Sequence, residues 1–127
     1  MEKPQIIGLD IGYGVTKLHC DHFSGKFPTA VTQMVPHAAF ASLHPIFVEG
    51  CKFLVGDEAA REGKGLIDTR TTAFVSSKPW LAIAGHALSL AGVSRNDLLV
   101  LGIPPGKYTK SYATHIADVV RSSDVVT

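Results

Sequence analysis

Residue types that together can hold a phosphate lie in one short run near the start of the chain, Asp10-Ile11-Gly12-Tyr13-Gly14-Val15-Thr16-Lys17. Asp10 ends the apolar run Ile6-Ile7-Gly8-Leu9. A carboxylate at the end of a buried strand is costly unless a charge compensates it, and a magnesium ion reached through water would do so. Gly12 and Gly14 flank Tyr13 in a turn that permits positive φ and close backbone approach, so its N–H groups can point at an anion. Lys17 follows at the start of the next strand, where its ammonium can neutralise a phosphate oxygen. A metal-organising carboxylate, a backbone cradle and a cation imply binding of a phosphate group with its metal. A plain β-hairpin, with glycines that only turn the chain and with Asp10 and Lys17 solvated, fits the same residue types equally well. A glycine turn alone is a weak motif.

The elements that must position these residues follow from hydrophobic period and turn residues. Residues 5–11 read as a central strand and 15–22 as its returning partner. Ser24-Gly25 predicts a second turn, and 26–35 a third strand with Pro28 near its start or at an edge. Residues 36–45 read as loop. Ile46-Phe47-Val48 and Lys52-Phe53-Leu54-Val55 flank Glu49-Gly50-Cys51 as another hairpin. Asp57 can cap a short helix through Ala59, Ala60 and Arg61 that stops at Gly63, and 64–72 is polar and turn-rich.

The clearest helix is predicted over 78–91. Ser77 is its N-cap, Pro79 lies near the first helical position, and Gly92 follows the last turn. Leu81, Ala84, Leu88 and Ala91 fall on one face. Residues 98–103 form a nearly continuous apolar strand, expected to be buried on both faces. Pro104-Pro105-Gly106 breaks it, and 108–121 can form a last helix through Ala113, Ile116, Ala117 and Val120. Early antiparallel pairs followed by a helix-crossed strand predict an α/β fold, a mixed sheet with helices packed on it.

The length of 127 residues suits one domain, and 46% hydrophobic residues suffice for a core. A formal net charge of +1 gives no global basic field, so direct nucleic-acid binding is not expected. Any connection to DNA would run through a partner or a local patch. No apolar stretch approaches the ~20 residues of a membrane helix. Met1-Glu2-Lys3-Pro4-Gln5 leads straight into the first strand without a signal segment, which points to a cytoplasmic location. Cys20 and Cys51 are too few for a disulfide framework and read as reduced thiols. Gly102-Ile103-Pro104-Pro105-Gly106-Lys107-Tyr108 is one residue short of a Walker loop and opens with prolines that have no N–H, so it is rejected. His19-Cys20-Asp21-His22 holds ligand types, but strand alternation divides them between two faces, whereas zinc needs converging ligands.

The run from Gly8 to Lys17 resembles the first phosphate loop of actin-like ATPases, and the tyrosine after the first glycine is typical of the plasmid-segregation ParM/StbA-type branch. Phe27-Pro28-Thr29-Ala30, Phe53-Leu54-Val55-Gly56-Asp57-Glu58-Ala59 and Leu99-Val100-Leu101-Gly102-Ile103-Pro104 are similar to later segments of that family and come in its order. The resemblance covers about Ile6 to Tyr108. It implies an actin-like, ribonuclease H-like domain that binds ATP and Mg²⁺. Asp10 would organise Mg²⁺ through water, Gly12, Tyr13, Gly14 and Val15 would offer N–H groups to the β- and γ-phosphates, and Lys17 would contact phosphate.

Family members draw a further phosphate loop and the adenosine pocket from a second lobe, which nothing after Arg121 supplies. Residues 1–127 are therefore expected to be the N-terminal domain of a truncated chain, holding half a site and no catalytic residue. The implied function is filament formation with ATP hydrolysis in plasmid or DNA segregation. The implied partners are other copies of the chain and a DNA-bound adaptor. Two alternatives remain: a sugar- or acetate-kinase-type phosphotransferase, which shares the loop, and a non-catalytic interaction module with the same fold. Tyr13 and Phe27-Pro28-Thr29 favour the filament branch.

Overall fold

The computed structural model describes residues 4–34, 45–62, 65–70, 74, 77–93, 97–102 and 110–122. In chain order the elements are β1 (Ile6–Ile11), β2 (Val15–Cys20), β3 (Phe23–Pro28), β4 (Val31–Gln33), β5 (Ile46–Val48), β6 (Cys51–Val55), α1 (Asp57–Glu62), α2 (Lys78–Ala91), β7 (Leu98–Leu101) and α3 (Lys110–Ser122). One sheet has the order β3-β2-β1-β7, with β1 antiparallel to β2 and parallel to β7. The other has the order β4-β6-β5 and is antiparallel throughout. The expected mixed sheet is present.

Period-two alternation decides which face of the first sheet is apolar. Ile7 and Leu9 of β1 and Thr16, Leu18 and Cys20 of β2 are buried, while Asp10, Lys17 and His19 point to the other, open face. Helix α2 touches β1 and β2 on the buried side and all three strands of the second sheet. A helix covered from two directions is apolar all round rather than striped. Accordingly Trp80, Leu81, Ala82, Ile83, Ala84, Gly85, Ala87, Leu88 and Ala91 are all buried, more than the single face read from the sequence. Its ends are set as expected. The Ser77 hydroxyl accepts from the Trp80 N–H, and Gly92 adopts a left-handed φ of 64°. The Gly92 and Val93 N–H groups close the last turn on Ser89 and Leu88 carbonyls.

The third strand departs from expectation. Pairs Cys20↔Phe23 and His19↔Ser24 put the turn at Asp21-His22, so Ser24 and Gly25 lie inside β3. The strand then ends at Pro28 instead of running on to 35. Thr29 donates its N–H to the Gly14 carbonyl of the first sheet, while the Ala30 carbonyl accepts from Gly56 beside the second. Two consecutive residues bonded to different sheets carry the chain from one to the other, which neither composition nor period announces.

Other differences are local. Cys51 belongs to β6, because Glu49 (φ 48°) and Gly50 (φ 83°) alone make the hairpin turn. Strand β7 is not buried on both faces: Leu98 and Val100 are 58% and 52% exposed. It is an edge of the described sheet, and no described element covers that outer face at these two residues. Helix α3 buries Ile116, as its pattern required. Nearly all of the loop read over 36–45, the stop at Gly63, the break at Pro104-Pro105-Gly106 and the helix start at Tyr108 lie outside the described residues. Among the described residues no helix is long and apolar enough to cross a membrane.

His86 of α2 is half-buried, with its ring edge-on to Phe27 at 4.9 Å between centroids. Burial lowers its pKa below the ordinary 6.5, against the opposing pull of Glu58 and Asp57. The folded state thus binds this proton less readily than the unfolded chain. Above pH 6.5 the ring is neutral in both states and its contribution is complete; as pH falls below 6.5 the unfolded chain protonates first and stability is lost. The melting temperature is expected to fall between pH 7.5 and 5.5, and to fall less in His86→Gln. Thermal melts across that range read the difference, and identical slopes would remove His86 as the cause.

Candidate functional site

The first hairpin gathers the predicted site. Asp10 and Lys17 are directly opposite across β1 and β2, and Lys17 is opposite Lys26 across β2 and β3. On the far side of Asp10, the Gly102 N–H bonds the Leu9 carbonyl at 2.8 Å. A Cβ on Gly102 would lie 3.1 Å from Asp10 Oδ1, so glycine there leaves room for the carboxylate. Lys26, Lys17, Asp10 and Gly102 form a row along an open groove of about 630 Å³ on the outer sheet face, whose wall continues through Gly8 and Val100.

The turn between Asp10 and Lys17 is held by three successive carbonyls. The Tyr13 carbonyl accepts from Thr69 Oγ1 at 2.8 Å, the Gly14 carbonyl from the Thr29 N–H at 3.0 Å, and the Val15 carbonyl from the Gly12 N–H at 3.1 Å. Thr29 is fixed in turn, its hydroxyl 2.8 Å from that of Thr16 in a buried pair. No peptide bond here is cis. In a trans peptide the C=O and the N–H of one plane point in opposite directions. Drawing the Tyr13 and Gly14 carbonyls onto Thr69 and Thr29 therefore turns the Gly14 and Val15 N–H groups the other way. Among the described residues no turn or loop hydrogen bond takes up the Tyr13 or Gly14 N–H.

The glycines act by a different route from the one expected. Neither Gly12 nor Gly14 has a positive φ. A Cβ on Gly12 would stand 2.8 Å from the Val15 carbonyl oxygen, so this position needs glycine for close approach. A Cβ on Gly14 would meet no protein atom within 4 Å, which leaves open space beside the N–H groups. Of the four N–H groups expected to form a cradle, that of Gly12 bonds the Val15 carbonyl inside the turn.

The remaining candidates separate. His19 Nδ1 lies 3.2 Å from Ser24 Oγ, Cys20 is buried in the core, and Asp21 and His22 make the turn. Among the described residues no three His, Cys, Asp or Glu side chains converge as a metal cage. Sequence reasoning missed Thr69, Thr29 and Gly102 as supports of the site. Gly102 stood inside a noted motif without a role, and the Thr69 contact spans 56 positions from a segment with no period.

Known proteins share this architecture. Residues 8–127 match the family model for the N-terminal domain of actin-like proteins. The apo pSK41 ParM protein has a similar structure, with TM-score 0.71 and 13% identity, over 98% of this chain and 46% of its own. A non-polymerising MamK mutant bound to AMPPNP follows with TM-score 0.65 and 16% identity, over 99% of this chain and 39% of its own. An archaeal actin homolog matches with TM-score 0.62 and 20% identity, over 91% and 35%. The chain thus spans less than half the length of each of these proteins. No curated protein sequence matches it. The family model covers nearly the whole chain and the fold agrees with it, so the chain belongs to the actin-like proteins, as their N-terminal domain.

Proposed function

We propose that this domain is the phosphate-binding lobe of an actin-like ATPase, with Mg-ATP as its ligand. The observation that carries the reading is the row Lys17–Asp10 beside a turn whose Gly14 and Val15 N–H groups point away from their own structural bonds. Lys17 and the N–H groups of Tyr13, Gly14 and Val15 suit a phosphate. Asp10 suits a divalent cation that keeps most of its water, the habit of Mg²⁺. The ion would screen negative charge on the phosphates, and this chain's part is to orient them.

Filament assembly with ATP, in partition of plasmid or other DNA through a bound adaptor, is the wider reading, in the cytoplasm. The likeness to a MamK double helical filament supports assembly, and the likeness to MamK bound to AMPPNP supports a nucleotide.

The second phosphate loop and the adenosine pocket belong to the other lobe in this reading. An open site weakens charge interactions severalfold relative to a closed one. Isothermal titration of the 127-residue chain with Mg-ATP is expected to give a Kd in the millimolar range or weaker, about −4 kcal/mol, without hydrolysis or polymer. Micromolar binding with turnover would mean that the chain completes its own site and would overturn the half-site reading.

A further inference from the structure

We propose that Thr69 is the positioning residue of the phosphate loop, fixing the direction of the Gly14 N–H by holding the Tyr13 carbonyl. The proposal rests on the phosphate-binding reading above and names a residue that reading does not contain.

Tyr13 and Gly14 are exposed at the tip of the hairpin, and no Cβ on Gly14 hinders rotation of the peptide between them. Rotation of that plane changes ψ of residue 13 and φ of residue 14, and glycine accepts either sign of φ. Turned over, the plane would present a carbonyl oxygen, not an N–H, to an anion. The hydrogen bond from Thr69 Oγ1 to the Tyr13 carbonyl, at 2.8 Å, opposes that rotation.

Thr69 is well placed to do so because it is itself fixed. It is 8% exposed, and its hydroxyl has a single hydrogen, already given to Tyr13. The segment that carries it is tied to β4 on the second sheet: the Ile67 N–H donates to the Val31 carbonyl at 2.9 Å, and Thr32 Oγ1 donates to the Gly65 carbonyl at 3.1 Å. On its other side the Arg70 N–H bonds Asp68 Oδ1 at 2.9 Å. The orientation of a loop on one sheet is thereby set from the other.

The test uses the ¹⁵N-labelled chain, titrated with magnesium pyrophosphate and followed at the Gly14 and Val15 amides. Thr69→Val keeps the volume and removes the donor; Thr69→Ser keeps the donor. The valine variant is expected to bind at least about five-fold more weakly, the share of a typical hydrogen bond. Its Gly14 amide should be displaced before any ligand is added, and Thr69→Ser should restore both. Should the valine variant not fold, Thr69→Ala removes the same hydroxyl and carries the same expectation. Parent-like affinity with an unmoved Gly14 amide in the donor-less variant would overturn the role of Thr69 and leave the phosphate reading standing. Parent amides that ignore pyrophosphate would overturn the phosphate reading, and the inference with it.

Discussion

Leu88→Asp is expected to unfold the domain, or to lower its melting temperature by at least about 15 °C. Leu88 is 1% exposed on a helix enclosed by two sheets. Removing its side chain costs about 2–5 kcal/mol in lost transfer and cavity energy. The carboxylate adds the penalty of a buried charge, and among the described residues the buried polar side chains are all threonines, none of them basic. The sum approaches the entire stability of a small domain, about 5–15 kcal/mol. Leu90, 42% exposed on the same helix, is the control, and Leu90→Asp should cost no more than about 0.5 kcal/mol. Circular-dichroism melts of both variants decide the matter. A Leu88→Asp protein that melts like the parent would mean that this face of α2 is open to solvent.

Lys17→Glu should have the opposite profile, an intact fold with no detectable affinity for phosphate anions. Lys17 is exposed, so stability is expected to change by no more than about 0.5 kcal/mol. At the site, however, the substitution exchanges a cation for an anion directly opposite Asp10. Each ten-fold loss corresponds to about 1.4 kcal/mol, and parent binding is already weak, so the variant's curve should be flat. Lys26→Glu lies one strand farther from Asp10 and should weaken binding less. The same pyrophosphate titration reads both, and rising salt should erode the parent's response. Undiminished amide shifts in Lys17→Glu would remove Lys17 from the site.

Much of this was legible in the sequence, for reasons that differ from element to element. Helix α2 could be read to its ends because Ser77, Pro79 and Gly92 are local signals that act within one turn of the residues they cap. The hairpin that brings Asp10 and Lys17 together was readable because two apolar runs flank a glycine turn, while their direct opposition is a matter of register that the structure supplies. The split of the third strand was not readable. It depends on Thr29 and Ala30 finding partners at Gly14 and Gly56, contacts made only after both sheets exist. Strand β7 was misjudged because four apolar residues in a row do not say whether a sheet is covered on one face or two. The residues of the phosphate turn could be named, but the geometry of its glycines could not. Positive φ is the usual reason for glycine, and at Gly12 the reason is instead the close Val15 carbonyl.

The enclosure of α2 also constrains how the protein is made. Synthesis runs from the N-terminus, so all six strands from β1 to β6 leave the ribosome before the first residue of α2. Until Ala91 has followed, Ile7, Leu9 and Leu18 of one sheet and Val31, Val48 and Phe53 of the other lack the α2 face they pack against. Hairpins without such cover are marginal in water. The nascent chain must therefore carry both sheets without α2 until Ala91 is made, and α2 then packs on both in a single step.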